Sequence, residues 1–215
     1  MPHTFANARE LFETVPATMV LIILSVIGFL LIYLEAPVEL ISTLTFSDFR
    51  FSRGEVVFLP QNGEYWRLLT PIFLHFSWLH ITFNSLWLWE LGGLLEKRMG
   101  TAVLLPLVIV SGAASNIAQY VFGGPSLFGG MSGVVYALLG FCWVYNLLVP
   151  QRSLPVPKPI IYVMLAWLVF CFVAPTELLG LGSIANAAHA AGLLFGCGCG
   201  LLTGLWYRFD PGTNE

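Results

Sequence analysis

Two polar side chains in otherwise apolar sequence have the chemistry of an acyl-transfer site. Ser132 follows the glycine-rich run 128–131 and is expected to open a helix, where free backbone N–H groups and the positive dipole end favour negative charge nearby. His189 lies among small residues, and a neutral imidazole there could take the proton of a serine hydroxyl. Serine is also an ordinary helix N-cap, so this segment alone does not establish catalysis.

A second pair of polar residues is spaced to act together. His80 and Asn84 are four residues apart and therefore share one face of a helix. Both side chains can donate a hydrogen bond from a fixed position, which suits an oxyanion hole. The alternative is a hydrogen bond between helices that stabilises a bundle.

Small residues indicate how the serine and histidine segments could meet. They recur at close to four-residue spacing on both segments, as Gly133, Ala137 and Gly140 on one and Ala188, Gly192 and Gly196 on the other. Such stripes let two helices pack closely. If these two stripes face each other, His189 lies beside Ser132, and Tyr136 one turn further on could pack against the imidazole.

The residues that other hydrolytic mechanisms require are missing from the sequence or lie outside its apolar segments. The H-E-x-x-H motif of zinc proteases is absent, and Asp48 and Asp210, the only aspartates, lie outside the apolar segments. No carboxylate lies near His189 in the sequence, so a serine mechanism would use a dyad. A metal site built from His75, His80 and His189 would lack a carboxylate or thiolate at suitable spacing. We therefore expect neither a metal nor another cofactor.

The composition excludes several classes of protein. Of the 215 residues, 57% are hydrophobic and 10% are charged, against about 25% charged in an average soluble domain. This excludes intrinsic disorder and argues strongly against a soluble globule. The net charge of −3 argues against nucleic acid as a partner. The four cysteines form no C-x-x-C pair and are interpreted as small apolar side chains.

Charge-free runs predict an all-α polytopic membrane protein with one domain over residues 1–215. The uncharged run from Met99 to Gln151 is too long for one crossing and is broken by glycines near Pro125. The segment from Glu35 to Arg67 contains more charged residues and is rich in aromatic residues, which predicts a long interfacial first loop. Six spans are predicted, at about 14–34, 78–96, 102–122, 131–149, 160–173 and 184–207.

The distribution of lysine and arginine predicts the orientation. Six of them fall at the N-terminus, in the even-numbered loops and at the C-terminus, and three fall in the first loop. By the positive-inside rule, both termini are expected in the cytoplasm. Ser132 would then open toward the periplasm.

Five motifs in order give the chain a family resemblance. They are Trp66-Arg67; His75 to Asn84, with His80; Glu96-Lys97-Arg98-Met99-Gly100; Gly130-Met131-Ser132-Gly133, with Tyr136; and Ala188-His189, with Gly192 and Gly196. Together they resemble the bacterial rhomboid intramembrane serine proteases of the compact six-helix type. The resemblance extends in topology from Thr14 to Tyr207, and no additional cytosolic domain is expected before Thr14.

The resemblance implies roles for these residues. Ser132 would be the nucleophile and His189 the general base, with Tyr136 supporting the imidazole. His80, Asn84 and the backbone N–H of Ser132 would form the oxyanion hole. The remaining motif residues would serve structure and close packing: Gly130, Gly133, Ala188, Gly192, Gly196, Trp66, Arg67, Glu96 and Arg98.

The fifth helix and the loop from Pro175 to Ser183 would gate entry of a substrate helix. Within that helix, Trp167 and Phe170 are the suggested gate residues.

The expected function is hydrolysis of transmembrane protein substrates by an enzyme of the bacterial inner membrane, in contact with the lipid bilayer and without a cofactor. Two alternatives stay open: a rhomboid-like protein that binds membrane clients without cleaving them, and a small transporter or structural bundle. The sequence does not identify the substrate or the oligomeric state.

Overall fold

The computed structural model describes residues 8–60, 62–174 and 184–209. The helices and strands found there are α1 (Ala8–Thr14), α2 (Pro16–Tyr33), α3 (Val38–Leu44), β1 (Phe49–Ser52), β2 (Glu55–Phe58), α4 (Trp78–Trp87), α5 (Gly93–Met99), α6 (Thr101–Gly123), α7 (Ser132–Leu148), α8 (Lys158–Val173) and α9 (Asn186–Phe209). A π-helical turn, Leu88–Gly92, joins α4 to α5, so that helix continues without a break from Trp78 to Met99.

Each predicted span contains a helix, and the fold class is confirmed as a predominantly helical membrane bundle. Within the described ranges, α2, α6 and α9 are long and apolar enough to cross a membrane, while α7 and α8 are apolar but shorter. Large apolar side chains point outward from α2, for example Val20 and Ile27, which are 47% and 48% exposed. In a bilayer such a surface faces lipid and not water.

Helix α2 and the continuous helix formed by α4 and α5 run in opposite directions. The start of α2 lies against the end of α5, because Glu96 binds the backbone of Ala17. The end of α2 lies against the start of α4, where Phe29 and Tyr33 pack around Trp78 with ring centroids 4.7 and 5.2 Å away. The bundle therefore has two ends, one holding the start of α4 and α7 and the other holding the end of α5.

Glu96 joins three helices at the second end. Its two carboxylate oxygens accept hydrogen bonds from the backbone N–H groups of Ala17 and Thr18, and from the hydroxyls of Thr18 and Thr101, over 2.6–2.9 Å. These N–H groups belong to the first turn of α2, which has no carbonyl partners of its own for them. A carboxylate at this position also compensates the positive end of the α2 dipole.

Helix α7 is the centre of the bundle. Every residue from Gly133 to Cys142 is buried, so the helix has no face toward lipid over this length. A helix that is apolar on all sides is expected at the core of a larger assembly of helices. Residues at the start of α7 are thereby held by neighbours from several helices at once.

Helices α7 and α9 approach closely through the two small-residue stripes. A Cβ atom built on Gly192 or Gly196 would fall on the carbonyl oxygen of Gly133 or Ala137. On the opposite side of the contact, a Cβ atom on Gly140 would meet the carbonyl oxygen of Leu193. Only glycine permits this spacing, which brings the two backbones into direct contact.

The first loop contains more regular structure than the sequence indicated. It folds into α3 and an antiparallel hairpin that pairs Phe49 with Phe58. Arg53 and Gly54, with φ of 54° and 86°, form the two-residue turn, as expected for a hairpin turn with two positive φ angles. A short helix, α1, also begins at Ala8, before the first predicted span.

Arg67 holds this loop together. Its side chain is buried, donates to the carbonyl oxygens of Ser42 and Thr45, and forms a 2.7 Å ion pair with Glu64. Trp66 beside it donates from its indole N–H to the carbonyl of Thr43 over 3.1 Å. The W-R pair therefore joins the end of the first loop to α3 and to the residues that follow α3.

Replacing Glu96 by glutamine tests the junction at the second end. The amide has only one acceptor oxygen, so at least one of the buried donors loses its partner. We expect Glu96→Gln to lower the free energy of unfolding by about 1–3 kcal/mol, measured by thermal unfolding in detergent. Glu90→Gln, on the exposed side of the same continuous helix, is the matched control and should change it little. Equal stability of the two variants would contradict the proposed junction.

The α7–α9 contact can be tested with two glycines of one helix. Gly196→Ala places a methyl group on the Ala137 carbonyl, and we expect a loss of about 1–3 kcal/mol from overpacking. A Cβ atom on Gly198 meets no atom within 4 Å, so Gly198→Ala should be neutral or slightly stabilising through helix propensity. Unfolding midpoints in one detergent give the comparison. A Gly196→Ala variant as stable as Gly198→Ala would show that the contact is looser than described.

Candidate active site

Ser132 and His189 come together although 57 positions separate them in sequence. The Oγ atom of Ser132 lies 2.7 Å from Nε2 of His189, within hydrogen-bond distance. Ser132 is the first residue of α7 and His189 lies in the first turn of α9. The close packing of these two helices at Gly133 and Gly192, directly beside the pair, sets this distance.

His189 is enclosed by apolar and aromatic atoms. It is 6% exposed, and the ring of Tyr136 lies with its centroid 5.0 Å from that of the imidazole. The Tyr136 hydroxyl donates to the carbonyl oxygen of Met164 in α8 over 2.9 Å, which fixes the phenol ring. Among the described residues, Nδ1 of His189 has no hydrogen-bond partner, so no carboxylate there completes a triad.

The start of α9 is held by two neighbouring helices. The amide of Asn186 donates to the carbonyl of Cys171 at the end of α8 over 2.7 Å. The backbone N–H of Ala188 donates to the side-chain oxygen of Gln119 in α6 over 3.3 Å. These bonds satisfy backbone and side-chain groups that have no partner within the first turn, and they fix the position of His189.

His80 lies against the loop that precedes the serine. A Cβ atom built on Gly130 would overlap Nε2 of His80, so the backbone of Gly130 is in contact with the imidazole. Gly130 also has a φ of 104°, a conformation that side chains with a Cβ rarely adopt. Ser77 caps α4 by accepting the backbone N–H of His80 over 3.2 Å, which anchors this residue at the helix start.

Asn84 is buried one turn below His80. Its side-chain amide donates to the carbonyl oxygen of His80 over 2.9 Å. An amide nitrogen carries two hydrogens, so one donor is left for another acceptor. His80 and Asn84 therefore lie on the α4 face next to the Gly130 loop.

His75 takes part in the site in a way that the sequence did not indicate, where it is only a motif residue and a member of a possible metal site. It is fully buried, and its Nδ1 lies 3.0 Å from the carbonyl of Phe73, while its Nε2 lies 3.3 Å from the backbone nitrogen of Met131. Burial, with the neighbouring His80 as a smaller cause, lowers the pKa of His75 to about 3, so the ring is neutral and Nε2 can accept. His75 thus holds the residue directly before Ser132. The sequence pattern around His75 does not indicate its contact with Met131, because that contact joins segments 56 residues apart.

The glycine-rich loop is held at a second point. The backbone N–H of Gly130 donates to the carbonyl of Pro71 over 3.0 Å, and a Cβ atom on Gly129 would lie 2.8 Å from that same oxygen. Asn116 in α6 donates to the carbonyl of Leu68, three residues before Pro71, over 2.9 Å. The loop before Ser132 is therefore held by the turn around Pro71, and Asn116 ties the nearby Leu68 to α6.

Other predicted residues lie away from this cluster. Trp66 and Arg67 are in the first loop, and Glu96 and the exposed Arg98 are at the second end of the bundle. The suggested gate loop, 175–183, lies outside the described residues. Trp167 and Phe170 in α8 stack on each other with centroids 5.3 Å apart. In the described part of the chain no group of three or more His, Cys, Asp or Glu side chains could hold a metal ion.

The structure thus contains a serine–histidine pair at the start of two packed helices, and comparison with known proteins gives the family of the chain. Residues 62–206 match the rhomboid domain family, so the chain belongs to the rhomboid family. The resemblance read from the sequence motifs is thereby confirmed.

Two relatives show the degree of similarity. The rhomboid protease GlpG of Serratia proteamaculans is 46% identical over 160 residues, which cover 73% of this chain and 54% of that protein. The rhomboid protease GlpG of Yersinia pestis is 45% identical over 146 residues, which cover 68% of this chain and 49% of that protein. The chain therefore spans about half the length of the curated relatives it matches.

Substitution of His75 tests whether its hydrogen bond to Met131 positions the loop before Ser132. His75→Phe keeps a ring of similar shape but leaves the buried Met131 N–H and Phe73 carbonyl unpaired, so we expect about 1–3 kcal/mol of destabilisation. We also expect slower labelling of Ser132 by a fluorophosphonate probe.

His75→Gln is the control, because it retains an acceptor and a donor and should recover part of both properties. A phenylalanine variant that matches wild type in stability and labelling would exclude this role for His75.

Proposed function

We propose that this chain is an intramembrane serine endopeptidase that cleaves transmembrane protein substrates with a Ser132–His189 dyad. The observation that carries the proposal is the 2.7 Å contact between Ser132 Oγ and His189 Nε2. Membership of the rhomboid family and similarity to proteins named rhomboid proteases support it. The neutral pair also suits a membrane, since its resting state needs no buried carboxylate.

The proposed reaction is an acyl transfer. His189 Nε2 takes the hydroxyl proton as Ser132 Oγ attacks the carbonyl carbon of the scissile peptide bond. The resulting imidazolium then protonates the leaving amine, and the C–N bond breaks to give an acyl-enzyme. Water then attacks the ester carbonyl carbon as His189 takes one of its protons. The imidazolium returns this proton to Ser132 Oγ as the ester C–O bond breaks, which releases the acid product and restores the serine.

The developing oxyanion needs donors that are already in place. The backbone N–H of Ser132 at the start of α7, the imidazole of His80 beside Gly130 and the free amide hydrogen of Asn84 are the candidates. The substrate bond must be unwound first, because a transmembrane helix uses its carbonyl groups in its own hydrogen bonds.

The proposed location is the bacterial inner membrane, with both termini in the cytoplasm and the site opening toward the periplasm. The basic residues at the second end of the bundle, Lys97, Arg98, Arg152 and Arg208, support this orientation by the positive-inside rule. The start of α7 lies at the opposite end.

Cleavage and active-site labelling test the dyad. In detergent, the wild-type protein should cleave a model transmembrane substrate and react with a fluorophosphonate probe. Ser132→Ala should abolish both, and His189→Ala should abolish cleavage, with the unfolding midpoint close to wild type. Ser153→Ala, in an exposed loop, is the control serine and should retain both activities.

Near-normal cleavage by the Ser132 or His189 variant would disprove the dyad. A wild-type protein that is folded, binds a transmembrane helix and neither cleaves nor labels would support the client-binding alternative. For His80→Ala and Asn84→Ala we expect cleavage rates lower by roughly 10- to 1000-fold, the range for a lost oxyanion donor.

A further inference from the structure

The proposed reaction requires one particular tautomer of His189. Nε2 can take the hydroxyl proton of Ser132 only if it carries no hydrogen, so the single hydrogen of the neutral ring must be on Nδ1. The 2.7 Å distance between Ser132 Oγ and His189 Nε2 suits either tautomer, because the hydroxyl can donate or accept. In a neutral histidine, the hydrogen bond made by one ring nitrogen decides which nitrogen is protonated. The partner of Nδ1 therefore decides whether His189 can act as the base.

Two buried polar atoms at the start of α9 complement each other. Among the described residues, Nδ1 of His189 and Oδ1 of Asn186 are both enclosed and have no hydrogen-bond partner. The nitrogen can carry a hydrogen and donate it, while the amide oxygen can only accept. Asn186 is three positions before His189, so the two side chains share one face of α9, with their Cβ atoms about 5–6 Å apart. A contact between these two atoms would remove the unfavourable burial of both.

The orientation of the Asn186 amide is fixed by α8. Its Nδ2 donates to the carbonyl oxygen of Cys171 over 2.7 Å. Turning the amide over would place two acceptor oxygens against each other, so the nitrogen faces Cys171 and Oδ1 points in another direction. Oδ1 is therefore an acceptor whose position is set by the contact between α8 and α9.

Contacts with α8 place the His189 ring and Asn186 on the same side of α9. Tyr136, whose ring packs on the imidazole, donates from its hydroxyl to the carbonyl of Met164 in α8. Met164 and Cys171 are the buried residues of α8 and are about two helical turns apart, so they share one face of that helix. Asn186 and Tyr136 thus both bind this buried face of α8, next to His189.

Ser115 in α6 is a second buried oxygen near the start of α9. Its Oγ also has no partner within the described ranges, and it lies 3.1 Å from the position of a Cβ atom built on Gly192, three residues after His189. It also lies 2.7 Å from such a position on Gly133. Ser115 therefore belongs to the contact of α6 with α7 and α9 and not to the contact with α8, so Asn186 is the better placed acceptor.

We propose that Asn186 is a positioning residue that selects the productive tautomer of His189. Its Oδ1 accepts the Nδ1–H of His189 through one bridging water molecule, since in the described part of the chain no direct bond joins the two atoms and Cys171 holds the amide. A buried water needs at least two polar partners, and these two atoms supply them. The inference rests on the proposed function, in which His189 is the base.

Nitrogen NMR of the full chain with isotope-labelled histidine tests the tautomer without any substrate. The chain has four histidines, and the signal of His189 is identified by its loss in His189→Ala. In the wild-type protein at neutral pH, the major form should carry its hydrogen on Nδ1. Asn186→Ala should make the Nε2–H form the major one. A wild-type His189 with its hydrogen on Nε2 would overturn the proposal before any variant of Asn186 is made.

Cleavage kinetics in detergent separate positioning from a purely structural role. Asn186→Ala should lower kcat roughly 10- to 100-fold, the range known for lost partners of metal-bound imidazoles, with KM little changed. Asn186→Asp keeps acceptor oxygens for Nδ1–H but loses the donor to Cys171. It should retain the Nδ1–H form and recover most of kcat. If aspartate is as impaired as alanine in both measurements, Asn186 acts only by holding α8, and the proposal is wrong.

Two matched variants complete the test. Asn146→Ala removes an asparagine that holds Leu154 through bonds of 2.6 and 2.7 Å at the other end of α7, and it should leave the His189 tautomer unchanged. A shift equal to that of Asn186→Ala would mean that general destabilisation moves the tautomer. Ser115→Ala should also keep the Nδ1–H form. A shift in the serine variant and none in Asn186→Ala would assign the acceptor to Ser115. Both comparisons remain decisive if the aspartate variant fails to fold.

Failure of this inference and failure of the proposed function give different results. If the wild-type protein does not cleave but Asn186→Ala changes the tautomer as described, the positioning contact stands and the endopeptidase proposal fails. If the wild-type protein cleaves through Ser132 and His189 while Asn186→Ala leaves both tautomer and kcat unchanged, the reaction stands and the role of Asn186 is excluded.

Discussion

The close approach of α7 and α9 is the constraint on which the rest of the structure depends. At Gly192 and Gly196 the backbone of α9 touches carbonyl oxygens of α7, leaving no room for a Cβ atom. Because the two helices start at the same level, this contact places the His189 imidazole 2.7 Å from the Ser132 hydroxyl. The same contact continues to Gly204 and Leu148 at the other end of the two helices.

A membrane environment changes what the remaining polar groups must do. Backbone and side-chain groups in this bundle have little water to bind, so they bind one another. Glu96 satisfies the first turn of α2, and His75 satisfies the N–H of Met131. These contacts require a few polar side chains to be buried, and each one joins segments that are far apart in sequence. They hold the glycine-rich loop and the helix ends in the positions that the proposed chemistry requires.

The sequence predicted the helical membrane fold and the family, and both are confirmed. Runs without charge located the helices to within a few residues because each helix is one continuous apolar segment. The first loop was predicted less well. Its hairpin pairs only four residues on each strand, and α3 has only seven, so neither produces a clear periodic signal. The roles of His80, Asn84 and the dyad stay predictions that the experiments above test.

The sequence by itself determined which segments enter the membrane and which polar residues lie in them, because burial in lipid depends on composition and length. It also placed glycine at the positions where two helices could touch. Only the tertiary structure decided which helices touch and at what register, since that choice depends on contacts between segments more than 50 residues apart, as between His75 and Met131.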